Sequence, residues 1–171
     1  KGDVWSLSII PDIPITDPNL VGWYKFEAGK GTRVIDFSGH GNHGTIVPGN
    51  SGTPQWVESL FNLGLEFLGD NSGYVELPAR GPTRTKGSVL MWINTTQTSD
   101  EGLLWYTNDQ TSGDGFDDEE LHINIEDGGD AGEVHFYLGE DSAGGDIYLQ
   151  SPGPVADGTW HHVAATWDLA D

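Results

Sequence analysis

A chain of 171 residues without Cys has room for one domain with a real core, or one domain and a tail, and can form neither disulfides nor thiolate metal sites. Its formal charge of −20 is lopsided: all seven Lys and Arg fall at or before Lys86 with nine of the acids, and the other eighteen acids follow, so the two parts carry −2 and −18. Such a field repels phosphate backbones and anionic headgroups, which argues against nucleic acid and membrane surfaces as partners and leaves divalent cations attracted, although an acidic surface also serves solubility alone.

Twenty-five Gly and nine Pro leave few windows for a helix, while seven Trp, five Tyr and six Phe supply the rigid rings that sheets bury. An all-β chain is expected, with no apolar run long enough for membrane insertion. Residues 1–10 read as a short alternating strand, and the Pro-spaced stretch 11–19 as a linker. Beyond them one domain is expected over 20–171. Strands are predicted at Leu20–Glu27, Thr32–Phe37, Thr45–Val47, Leu63–Phe67, Gly73–Leu77, Ser88–Asn94, Gly102–Tyr106, Glu120–Ile125, Glu133–Leu138, Asp146–Gln150 and Trp160–Trp167, with turn residues between them.

Period-two faces are readable in two of these. In Ser88–Asn94, Val89, Met91 and Ile93 share one side and Leu90 and Trp92 the other, so cover on both sides is expected. In Glu120–Ile125, Leu121, Ile123 and Ile125 point one way and His122 and Asn124 the other, the mark of a sheet with one wet face; His122 is placed on a surface or groove.

The loop Asp36–Gly44 gathers a carboxylate, a hydroxyl, an amide side chain and Gly-freed carbonyls. Hard oxygen donors in a flexible loop suit calcium, and Asp36, Ser38 and Asn42 are the candidate ligands; the alternative is that Asp36 and Ser38 only close the turn with side-chain-to-backbone bonds. Asp114–Glu120 is a second acidic cluster, without the alternating acids of an EF-hand, and reads as a solvated loop. The pairs His40/His43 and His161/His162 lack the third and fourth ligands that a tight zinc site needs. Sugar recognition would use exposed rings, whose flat faces meet the C–H side of a pyranose, beside amides for its hydroxyls. Trp105 and Tyr106, next to Asn108, are the candidates.

Four separated pieces resemble one family in the same order: Val21–Glu27, the loop Asp36-x-Ser38-Gly39-x-Gly41-Asn42-x-Gly44, Leu65-Glu66-Phe67 with Tyr74-Val75-Glu76-Leu77, and Trp160-His161-His162-Val163-Ala164-Ala165-Thr166-Trp167. Together they resemble the bacterial laminin-G-like, concanavalin A-like jelly roll. The resemblance implies a two-sheet antiparallel sandwich and an extracellular or cell-surface setting. It also implies a structural calcium near the sandwich rim, carried onto Asp36 and then Asn42. Residues 1–10 resemble the closing strand of a fibronectin-III-like domain. Family members run on into a further hairpin and closing strand after Trp-His-His-Val, so the C-terminal strands are expected to be missing here and to come from the rest of a longer polypeptide or from a second chain. The Glu-x-Asp-x-x-Glu strand of related glycosidases does not occur, nor does a nucleophile elbow or phosphate loop, and a non-catalytic module is expected. Carbohydrate binding within a larger secreted or surface protein is the leading expectation. The alternatives are a structural or adhesive spacer binding protein neighbours, and an accessory domain of a glycan-active enzyme.

Overall fold

The computed structural model describes residues 17–69, 71–78, 86–98, 101–107, 120–125, 131–139 and 147–168. Among them there is no helix, and every ladder is antiparallel. The strands are β1 (Arg33–Val34), β2 (Gly44–Pro48), β3 (Gln55–Glu58), β4 (Leu63–Glu66), β5 (Gly73–Glu76), β6 (Lys86–Asn94), β7 (Glu101–Thr107), β8 (Glu120–Ile125), β9 (Val134–Leu138), β10 (Ile147–Gln150) and β11 (Trp160–Asp168). The chain divides into two compact units, Lys1–Arg80 and Gly81–Asp171.

In the first unit β1, β2 and β5 form a three-stranded sheet, and β3 and β4 form a hairpin. Val34 and Ile46, 0 % and 3 % exposed, are its buried apolar centre. The strand expected at Leu20–Glu27 is reduced to a single bridge between Tyr24 and Asp36. Phe26, with a left-handed φ of 55°, a conformation that a bulky side chain rarely adopts, ends the extended run on its C-terminal side. Conversely, β3 was not expected: its four residues directly follow Pro54 and are too few to display a period.

The second unit is a sandwich. One sheet runs β10-β9-β8-β7 and the other pairs β11 with β6. Leu121, Ile123 and Ile125 of β8 and Val134, Phe136 and Leu138 of β9 alternate inward and are almost fully buried. Val89, Met91 and Ile93 of β6 and Val163, Ala165 and Trp167 of β11 pack against them from the facing sheet. Phe136 and Trp167 meet across this core with ring centroids 5.5 Å apart. Gly87, paired with Trp167, makes room for the indole: a Cβ there would lie 2.2 Å from Trp167 Cζ2. The cover expected on both faces of β6 is found on one only, since Leu90 and Trp92 are 61 % and 47 % exposed. Their side chains belong to the phase of β6 that points away from the interior.

Candidate functional site

Two places combine chemistry with accessible geometry. The first is the loop after β1. Asp36 is 6 % exposed, yet its carboxylate is well partnered: the N–H groups of Trp23 and Ser38 donate to Oδ1 at 3.0 and 2.8 Å, and the Ser38 hydroxyl and Asn42 N–H donate to Oδ2 at 2.7 and 2.9 Å. Burial alone would raise the carboxyl, but the donors from Trp23, Ser38 and Asn42 outweigh it and hold the group down at about 2. His43 Nδ1 accepts from the Asp36 N–H at 3.1 Å, and the Asn42 amide donates to the Val21 carbonyl at 2.8 Å. The Tyr24 hydroxyl donates to the Asn42 carbonyl at 2.6 Å, and burial, then the nearby Asp36 charge, raises its pKa.

The structure thus brings together all three residues expected to hold calcium, but the Ser38 hydroxyl and the Ser38 and Asn42 N–H groups turn to the Asp36 carboxylate, and the Asn42 side-chain amide turns to the Val21 carbonyl. A cation needs lone pairs facing it, whereas both oxygens of Asp36 already face N–H and O–H donors and the Ser38 hydroxyl is itself spent as a donor. The donor set as folded does not fit a calcium cage. It fits the alternative of a carboxylate-anchored turn, in which one buried charge satisfies the backbone donors of Trp23, Ser38 and Asn42.

The second place is the outer face of the β7–β10 sheet. Register puts Trp105 opposite His122, His122 opposite Tyr137, and Tyr137 opposite Tyr148, a row of rings crossing all four strands. Trp105 stacks on His122 at 3.6 Å between centroids with 28° between planes, and His122 meets Tyr137 at 5.4 Å. Trp105 and Tyr148 are 64 % and 53 % exposed. One step along the strands lies a polar row, Asn124 opposite His135 and His135 opposite Gln150. Tyr148 stands edge-on to His135, centroids 5.0 Å apart, and its hydroxyl shares a hydrogen bond with His135 Nδ1, so that His135 is buried although it sits on the outer face. Gln150 donates to Glu133 at 3.3 Å.

The orientation of Trp105 depends on an irregularity. Gly102 pairs with Asn124, but Leu104 pairs with Ile123, so β7 carries one extra residue at Leu103. Without it, strict alternation from Gly102 would send Trp105 inward; the bulge lets Leu103 and Leu104 both pack on the interior and aims Trp105 outward. Tyr106, expected beside it as a sugar contact, is thereby placed on the other side, opposite Leu121 and against the core. Of the remaining sites named from sequence, Asn108, the acids from Asp114 to Glu119 and residues 1–10 lie outside the described residues. His161 is held in a local turn, where its Nε2 lies 3.0 Å from Asp157 Oδ1, while His162 packs against Trp92 at 5.1 Å, so the two face different surroundings.

His122, Tyr137 and Tyr148 were not singled out together from sequence. They are far apart along the chain, and the period-two alternation that placed His122 on the wet face was the one available signal.

Two antiparallel sheets packed through alternating apolar residues define a concanavalin A-like sandwich. The chain belongs to the Concanavalin A-like lectin/glucanases superfamily, its residues 69–171 matching the Laminin_G_3 family profile. No curated protein and no solved structure matches it.

Proposed function

We propose that this chain is a non-catalytic carbohydrate-binding module of a secreted or surface protein, and that sugar docks on the outer face of the β7–β10 sheet. The observation that carries the reading is the register-aligned row Trp105, His122, Tyr137 and Tyr148, with its two end rings more than half exposed. Flat rings take the apolar C–H face of a pyranose, and Asn124 and Gln150 alongside offer donors and acceptors for its hydroxyls. Membership of a superfamily named for lectins supports the same reading. The test is affinity gel electrophoresis of the chain against immobilised neutral polysaccharides. Retardation by at least one of them is expected, with loss in Trp105→Ala and in Tyr148→Ala. Trp105→Ala is on an exposed face and should shift stability by less than about 1 kcal/mol, whereas Tyr148→Ala also removes the hydroxyl that partners buried His135 and should cost about 1–3 kcal/mol. Retardation that survives both substitutions would place binding elsewhere.

A second reading, a spacer that binds a protein neighbour, is favoured by a different surface. Leu90, Trp92 and Trp160 are exposed on the outer side of the β6–β11 pair, an apolar set of the kind that protein interfaces cover. Trp92→Ala separates the two: it leaves sugar retention unchanged under the first reading and weakens protein capture under the second.

A further inference from the structure

We infer that the β7–β10 face selects an uncharged oligosaccharide lying across the strands, long enough to touch Trp105 and Tyr148 at once, and that it refuses sulfated and uronic-acid glycans. This rests on the sugar-binding reading above and adds to it the length and charge of the ligand.

Length follows from the register. Trp105 sits on β7 and Tyr148 on β10, the two outer strands of the sheet, so three inter-strand steps separate them. At about 4.8 Å per step that is about 14 Å, more than one monosaccharide covers. The end rings are exposed, while His122 and Tyr137 between them are half-buried, so most of the ring surface open to a ligand lies at the two ends of the row. A chain of sugars can rest on both end rings and place its hydroxyls over Asn124 and Gln150. A single sugar reaches one ring only.

Charge follows from what the surface contains. Proteins hold sulfate and carboxylate groups with Arg forks and Lys ammonium groups. No Lys or Arg occurs after Lys86, so β7, β8, β9 and β10 have none, and the part of the sequence that contains these strands carries a formal −18, a sign unfavourable to anions. Among the described residues of these four strands, the basic side chains are the imidazoles of His122 and His135, with no Lys or Arg, and His135 is buried. The face also has an open position for a cation. Gly102, opposite Asn124, has nothing within 4 Å of where a Cβ would sit, and its backbone is not left-handed.

The experiment is calorimetry of the full chain at about pH 8, where free imidazole is neutral. The probes are a length series of neutral gluco- and manno-oligosaccharides, with heparin and oligogalacturonate as anionic probes. Affinity should rise about tenfold from the monosaccharide to a chain that reaches both rings and then level off, as expected when a second stacking contact is added. Trp105→Ala and Tyr148→Ala should each remove that rise. Heparin and oligogalacturonate should give no heat of binding, and Gly102→Lys should gain oligogalacturonate binding. Equal affinity for short and long neutral chains overturns the spanning geometry. Trp105-dependent binding of heparin or oligogalacturonate by the unmodified chain overturns the charge selection while leaving sugar binding standing. Failure to bind any probe overturns both this inference and the function it rests on.

Discussion

Replacing Asp36 tests whether the loop after β1 is a self-contained anchor. The carboxylate accepts from three backbone amides and one hydroxyl while 6 % exposed, and it is held at about 2 against an ordinary 3.8. Because the folded value is depressed, the associated stability is fully present above the unfolded pKa and is lost as pH falls from there through the folded value. A displacement of that size corresponds to about 2 kcal/mol. Asp36→Asn keeps the shape and one acceptor but loses the charge, and should cost about that much. Asp36→Ala strands the amides of Trp23, Ser38 and Asn42 as well, and should cost about 3–5 kcal/mol. Amide hydrogen exchange reads this locally: at neutral pH the protection of Trp23, Ser38 and Asn42 should fall about 30-fold in Asp36→Asn. Urea midpoints of the two proteins should converge on acidification toward about pH 2, where the native carboxyl is itself becoming protonated. Millimolar calcium should leave the exchange of those three amides unchanged. A stability gap that stays constant with pH, or a calcium-dependent gain in protection that needs Asp36, would refute the reasoning.

Gly87→Ala should destabilise the second unit by about 1–3 kcal/mol, because its new methyl would lie 2.2 Å from the Trp167 ring in a packed core. Urea denaturation measures the loss, Trp167→Phe should recover part of it in the double variant, and an unchanged midpoint for Gly87→Ala would count against the packing. In the turn before β11, the Asp157 carboxyl is held at about 2, first by the Thr159 hydroxyl, then by His161 and the Thr159 amide. Thr159→Ala should therefore raise the Asp157 pKa toward the ordinary carboxylate range in a carbon-detected NMR titration, and an unmoved titration would show that the hydroxyl is not what holds it.

Strands β6 and β8 were legible from sequence because apolar residues recur there at every second position and core packing rewards that period. The same rule failed where backbone geometry departs from it. Leu20–Glu27 has the residues of a strand but makes a single bridge, at Tyr24, and turns left-handed at Phe26, neither of which alternation can show. Leu90 and Trp92 are apolar enough to suggest a second covered face, but one-dimensional pattern does not say what, if anything, lies over them. Asp36, Ser38 and Asn42 were found as a group because they share one short loop. Whether their oxygens face outward to a cation or inward to amides is a matter of three dimensions. Trp105, named from sequence as a candidate ring, is exposed on the outer face, Tyr106 beside it packs toward the interior, and the ring neighbours His122, Tyr137 and Tyr148 come from three other strands joined by register alone.

The extra residue at Leu103 also isolates one end of β7 from the other. On the Glu101–Gly102 side the chain follows one phase of the pairing with β8, and from Leu104 to Thr107 it follows the opposite phase. Removing that one residue would restore strict alternation from Gly102 and turn the indole of Trp105 away from the His122 imidazole, so the outward position of the ring rests on a single inserted residue.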